Sequence, residues 1–194
     1  TLYFLIFGKF IGSQIRDIHG MSYMAFVVPG LIMMTVINNS FVNVVSSFFS
    51  AKFQRSIEEL LVSSASNKVI IAGYVTGGVV RGIIVGGLVF LVSTFFTRPA
   101  IHHPGIVFSF ILLTAVVFAL AGLLNAIFAK KFDDISIFPT FIMTPLVYLG
   151  GVFYSIESLP PFWRAVSKFN PILYMVNGLR YGFHGFSDVH LAAS

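Results

Sequence analysis

Of the 194 residues, 57% are hydrophobic and only 10% charged, and the mean hydropathy is +0.92; a soluble domain carries about 25% charged residues to cover its surface, so this chain belongs in lipid. Its net charge of +5 is scattered singly, with Lys130-Lys131 the only adjacent basic pair, which excludes the clustered patch of a nucleic-acid groove. The absence of cysteine excludes disulfides, thiolate metal sites and cysteine nucleophiles together.

The opening "TLYFLIFGKF" lacks a starting Met and a basic n-region. That argues against a cleavable signal peptide and predicts a chain that begins inside a longer protein. A spanning helix needs about 20 predominantly apolar residues, and four stretches qualify: 23–49, 69–96, 106–129 and 135–154. Residues 1–11 are apolar but short, and read as the last turns of a span whose start is missing. Residues 172–186 are short and interrupted by Asn177, Gly178, Arg180 and Gly182, so no full span is expected there.

Consecutive spans alternate direction, so the connections 50–68 and 130–134 share one side of the membrane, and 12–22 and 97–105 the other. The first side holds Lys52, Arg55, Lys68, Lys130 and Lys131, and the second Lys9, Arg16, Arg98, Arg164 and Lys168. The near balance leaves the positive-inside rule unable to orient the chain.

In chain order, Asn39, Asn43, Ser46, Ser47 and Ser50 line one helical side of 23–49, beside Asn38. Amides are costly against lipid tails, so this side faces other helices or a wet cavity, and both readings stay open. In "AKFQRSIEELLVSSASNK", Phe53, Ile57, Leu60 and Leu61 fall at i, i+4, i+7 and i+8, with Lys52, Arg55, Glu58 and Glu59 on the remainder. Ser56 and Glu59 have capping-box spacing. A short amphipathic helix is predicted, either lying in the headgroups or docking a partner.

Along 69–96, Gly73 and Gly77, then Gly78, Gly82 and Gly86, recur every four residues, a ridge that permits close backbone approach. Arg81 lies about 18 Å from Val69 at 1.5 Å per residue. It is either a functional intramembrane charge or a side chain snorkelling to headgroups. His102-His103 precede Pro104 with no further ligand nearby, and read as plain loop. Pro139 and Pro145 are expected to kink the fourth stretch, which Gly150-Gly151 close. Pro160 and Pro161 suit a helix start. Phe162, Val166 and Phe169 then follow at i, i+4 and i+7, with Trp163 fitted to a headgroup boundary and Arg164, Ser167 and Lys168 opposite.

No G-x-x-x-x-G-K-[ST], G-x-S-x-G or H-E-x-x-H occurs. The acidic residues, Asp17, Glu58, Glu59, Asp133, Asp134, Glu157 and Asp188, fall outside the expected hydrocarbon zone. Neither a nucleotide site nor catalytic chemistry is expected in this chain. The missing intramembrane carboxylate disfavours a proton-coupled carrier.

Three segments, "FQRSIEELLVSS", "AGLLNAIFAKKFDDISIFPTFIMTPLVYLGGVFYSIESLPPFWRAVSKFNP" and "ILYMVNGLRYGF", resemble the type-2 ABC transporter permeases, membrane subunits of bacterial drug and polysaccharide exporters. The likeness covers essentially the whole chain. It implies a single permease domain over residues 1–194: an all-α polytopic membrane protein with four complete spans, the end of a first span, and the last of the usual six absent. It implies that 50–68 and 130–134 are cytoplasmic, and that a coupling helix bearing Phe53, Ile57, Glu58, Glu59, Leu60 and Leu61 docks a separate ABC ATPase subunit. It further implies an external re-entrant hairpin carrying Pro160, Pro161, Phe162, Trp163 and Val166 against membrane lipids, and a permease homodimer in the bacterial inner membrane. Asn39, Asn43, Ser46 and Arg81 become candidates for lining the route or a helix interface. The expected function is ATP-driven export, with ATP and magnesium held by the partner subunit and no cofactor here. A membrane scaffold that moves no substrate is the alternative.

Overall fold

The computed structural model describes residues 21–97, 99 and 101–185; the expected end of a first span, at residues 1–11, lies outside them. The described residues form helices and turns around four helices long and apolar enough to cross a membrane. They are α1 (Tyr23–Phe53), α3 (Asn67–Ser93), α4 (Pro104–Phe128) and a composite fourth helix. The fourth comprises α5 (Phe132–Phe138), a π-helical turn (Pro139–Met143) and α6 (Thr144–Leu149). The short α2 (Ser56–Val62) joins α1 to α3, and a 3-10 turn (Ile156–Ser158), α7 (Pro161–Lys168) and α8 (Pro171–His184) complete the chain. The resulting fold is an all-α polytopic membrane protein.

Local chemistry sets the ends a few residues from where hydropathy alone would put them. α1 runs on to Phe53 because nothing in residues 50–53 breaks it; the corner is made by Arg55, held at φ 61°. α3 stops at Ser93, where the Ser93 hydroxyl donates to the Phe90 carbonyl (2.6 Å) and that of Thr94 to Leu91 (2.7 Å). α5 starts at Phe132 because the Asp134 carboxylate accepts the backbone N–H groups of Lys130 and Lys131, at 2.8 and 3.0 Å. The helix ends at Leu149, before Gly151 at φ 71°, so residues 150–154 are not helical.

Where the two prolines fall, the fourth helix contains a π-helical turn. Pro139 opens the π-helical turn, in which the Thr144 N–H reaches back to the Pro139 carbonyl, and the Thr144 hydroxyl donates to the same oxygen at 2.9 Å. With Pro145 unable to donate, the α-helical ladder is interrupted here and resumes beyond it.

α8 corrects the expectation of an interrupted segment: it is one unbroken helix through Asn177, Gly178, Arg180 and Gly182. Asn170 caps it, accepting from Ile172 N–H at 3.0 Å, and Pro171 occupies its first turn. Its 14 residues extend only about 21 Å, too short to cross a hydrocarbon core of about 30 Å.

The described residues fall into two compact units. One is built from Thr35–Val85 and Leu112–Pro145, the other from the described parts of Thr1–Met34, Gly86–Ile111 and Leu146–Ser194. In the first, Phe49, Ala126 and Ala129 form a buried cluster with Phe48 and Ile135 against it, and Phe41 stacks on Phe138 at 5.3 Å. In the second, a Cβ on Gly30 would meet the Val152 carbonyl at 2.6 Å, and one on Gly178 would overlap the Phe110 ring. Only glycine allows those approaches.

Candidate functional site

Three surfaces carry the residues that sequence reasoning singled out. The first is α2. Ile57 is buried, with Leu61 beside it over an apolar hollow of ≈190 Å³ walled by Phe48, Leu123 and Ile127. Glu58 and Glu59 are exposed, and Val62 is 89% exposed. Of the helix's apolar residues Ile57 alone is buried against its own chain, while Leu60, Leu61 and Val62 are exposed together with the acidic pair.

Two expectations change here. Phe53 is not on this helix: it ends α1, where its ring meets Phe132 edge-on at 4.9 Å and stacks on Phe49 at 6.5 Å. The Ser56–Glu59 capping box does not form either. The α2 N-cap is Arg55, and the Ser56 hydroxyl turns back to the Ala51 carbonyl at 3.2 Å. The tight left-handed corner after Phe53 accounts for both differences, since it ends one helix and starts the next within three residues.

What mounts α2 escaped the sequence reading. The Lys52 ammonium donates to the carbonyls of Ile127 (2.7 Å), Ala129 (2.8 Å) and Ala126 (3.4 Å). It thus neutralises the free carbonyls at the α4 C-terminus. Asn125 donates to the Ile135 carbonyl at 3.2 Å. The ends of α1 and α4 and the start of α5 are thereby tied together immediately before α2 leaves them. A lysine ending an apolar run signals a membrane edge, but nothing in sequence says which carbonyls it will find.

The second surface lies between α1 and α3. The glycine ridge divides into two rows with different jobs. A Cβ at Gly78 would meet Val44 Cγ2 at 2.5 Å, and one at Gly82 would overlap the Ser40 hydroxyl, so this row packs. Gly73 has open space and Gly77 meets only Asn43 Oδ1, at 3.6 Å. These two, expected to pack as well, instead floor an open groove of ≈400 Å³ whose walls include Asn43, Ser47, Tyr74 and Leu60. Asn39 is half-buried and donates to the Thr35 carbonyl at 2.9 Å, whereas Ser46 and Arg81 are exposed.

The third surface is the hairpin after α6. Pro160 is the N-cap and Pro161 the first residue of α7. Phe162, Trp163, Val166 and Phe169 are all exposed, the last by 91%, while Ser167 is buried. Arg164 donates to the Glu157 and Leu159 carbonyls, folding the preceding 3-10 turn against α7. Arg180, read in the sequence only as an interruption, is fully buried. It donates to the Gly151 carbonyl (2.9 Å) and to Asn177 Oδ1 (3.4 Å), with its guanidinium 3.8 Å from the Phe26 ring centroid. Tyr23 donates to the Phe153 carbonyl (2.9 Å) and Asn170 to that of Leu146 (2.6 Å).

The histidines serve as loop ties. The His102 and His103 N–H groups donate to the Gly182 carbonyl, and His102 Nδ1 donates to Phe183 at 2.7 Å. Burial holds the His184 imidazole below its ordinary range, and its Nε2 donates to the Ala25 carbonyl at 3.0 Å. Among the described residues no cluster of metal-ligating side chains occurs.

Four membrane-length apolar helices, one short helix with an acidic outer side and a folded-back hairpin define a multi-pass membrane subunit. The chain belongs to the ABC-2 type transporter family, whose pattern it matches over residues 1–184; it is a membrane permease subunit of an ABC transporter. It is 61% identical over 194 residues to the inner membrane transport permease YadH of Escherichia coli K12, covering 100% of this chain and 76% of that one. It is 21% identical over 183 residues to nodulation protein J of Rhizobium leguminosarum bv. viciae, covering 93% and 70%. Against nodulation protein J of Neorhizobium galegae the figures are 22% over 197 residues, 99% and 75%. With four apolar helices and a relative named for the inner membrane, the chain is a multi-pass inner-membrane protein.

Proposed function

We propose that this chain forms the translocation route of an ATP-driven exporter, works as a permease homodimer, and is driven by a separate ATPase docked on α2. ATP and magnesium bind the ATPase, and no bond is made or broken in the permease itself. The end bearing α2 faces the cytoplasm and α7 lies along the outer leaflet.

The observation that carries this reading is the mounting of α2. An exposed pair, Glu58 and Glu59, sits on a helix anchored to its own spans through the buried Ile57. Lys52 fixes the preceding turn to α4. A push on the acidic side therefore moves the spans together with the helix. A helix that merely floated in the headgroups would need neither the buried Ile57 nor the Lys52 clamp.

Co-purification of the full-length permease with its ATPase tests the assignment. Glu58→Lys with Glu59→Lys leaves the buried side intact and reverses the outer charge, so insertion should be normal and ATPase recovery should fall about tenfold or more. Retention of the ATPase at wild-type stoichiometry would remove α2 as the docking element.

A further inference from the structure

α8 meets the start of α1 through two basic side chains. Arg180 and His184 are four residues apart, so they share one side of α8. The Arg180 guanidinium lies 3.8 Å from the Phe26 ring centroid, and His184 Nε2 donates to the adjoining Ala25 carbonyl at 3.0 Å. That carbonyl needs a donor from outside its own helix. Pro29 lies inside α1, four residues beyond Ala25, and has no N–H to return to it. His184 thus supplies the missing rung of the α1 ladder. All of these residues belong to one compact unit.

Within the same unit the last carbonyls of α8 are already taken. Gly182 accepts the N–H groups of His102 and His103 at 3.1 and 2.9 Å, and Tyr181 accepts that of Gly185 at 2.8 Å. Phe183 accepts from His102 Nδ1 at 2.7 Å. A helix C-terminus ordinarily welcomes a cation through its free carbonyls, and here those carbonyls have donors. His184 is half-buried. Burial first, then the charges of Arg180 and His102, oppose its imidazolium form and outweigh the Ala25 carbonyl, which favours it.

Among the described residues no other element packed here supplies a countercharge. The Phe90 ring of α3 meets that of Phe183 at 5.9 Å, and Val107 of α4 lies against Gly182. Neither residues 86–93 nor α4 contain a titratable side chain. At this end of α1 the titratable residue is Tyr23, which donates to the Phe153 carbonyl. His103 is stacked on Tyr181 at 5.4 Å.

We propose that His184 is an acid-released latch: neutral, it closes the rung that Pro29 leaves open and holds the end of α8 on the start of α1; protonated, it turns to water and the contact opens. The closed form binds fewer protons than the open one, so the latch is fully held above about pH 6.5. It weakens as pH falls below that, by at most about tenfold in the closing equilibrium per pH unit for one proton. Only the side of the membrane rests on the export reading, which makes this the periplasmic end.

The test is hydrogen exchange on the full-length permease–ATPase complex in nanodiscs, at about pH 7.5 and about pH 5.5, on either side of the ordinary imidazole range. Rates are corrected for the intrinsic pH dependence of exchange. In the wild type, protection of peptides covering residues 22–30 and 179–186 should fall about tenfold in acid, while residues 39–47, in the other unit, keep theirs. His184→Gln, which can donate but does not titrate, should stay protected at both pH values. His184→Leu should lack protection at both, and His102→Gln should retain the acid loss.

Wild-type protection that does not change with pH overturns the proposal and leaves His184 a structural tie. An acid loss that survives His184→Gln, or that disappears in His102→Gln, overturns it as well. If neither variant at position 184 inserts, the wild type and His102→Gln decide between the same outcomes. Labelling at positions 168 and 59 reads the topology separately, so an inverted topology would move the latch to the other side of the membrane without removing it.

Discussion

Two cations, the half-buried Lys52 in one compact unit and the buried Arg180 in the other, each act through backbone carbonyls. Lys52 replaces water at the α4 C-terminus, where the last carbonyls of a helix have no intrahelical donor. Lys52→Met keeps the stem and loses the donors; it should cost about 1–3 kcal/mol and free α2 from its mounting. The check is thermal stability together with ATP-driven transport: a variant that melts early but transports at wild-type rate would make Lys52 a stability residue alone. Arg180 braces the turn at Gly151, whose positive φ leaves a carbonyl pointing into the protein. Arg180→Met should destabilise by on the order of 3 kcal/mol, because a charge-assisted bond, an amide contact and a cation–π contact vanish together. An unchanged melting temperature in nanodiscs would show that Gly151 finds another donor.

At the scale of the element, α3 shows how one helix uses glycine in two ways. Positions 78 and 82 lie against α1 with no room for a methyl group, whereas 73 and 77 open onto the groove. Gly82→Leu should therefore overpack and cost about 1–3 kcal/mol or more. Gly77→Leu should leave folding near wild type, and the pair is compared by yield and melting temperature. Equal losses in both would mean that the two rows are not distinct. α2 carries the same lesson: Ile57→Asp places a carboxylate in an apolar hollow and disrupts the subunit itself, so its effect on ATPase binding is not informative. The charge reversal at Glu58 and Glu59 is the cleaner probe.

For the whole molecule the question is which way up it sits. No cysteine occurs among these 194 residues, so a single cysteine introduced here is a distinct label site within them. Arg164 folds inward onto carbonyls, so Lys168, exposed beside the outward Phe169, is the better reporter. Lys168→Cys should react with an impermeant maleimide from the periplasmic side, and Glu59→Cys only after the cytoplasmic side is opened. The reverse pattern would invert the topology and remove the ATPase from α2.

The sequence by itself determined the membrane class, the four spans to within a few residues, the acidic loop helix and the proline-started α7. Each rests on a local property: runs of apolar residues, helical spacing, or the backbone restriction of proline. Pairing in three dimensions decided the rest. Hydropathy could not tell packing glycines from open ones, because the difference lies in which side of α3 meets α1. Nor could it foresee that Asn177, Gly178 and Arg180 would sit inside one continuous helix. Their cost in an isolated segment is offset by partners far along the chain, the Gly151 carbonyl and the Phe26 and Phe110 rings. The inward turn of Ile57 was hidden for the same reason. Spacing fixes which residues share a side of a helix, but only the neighbouring helices decide whether that side is buried or free.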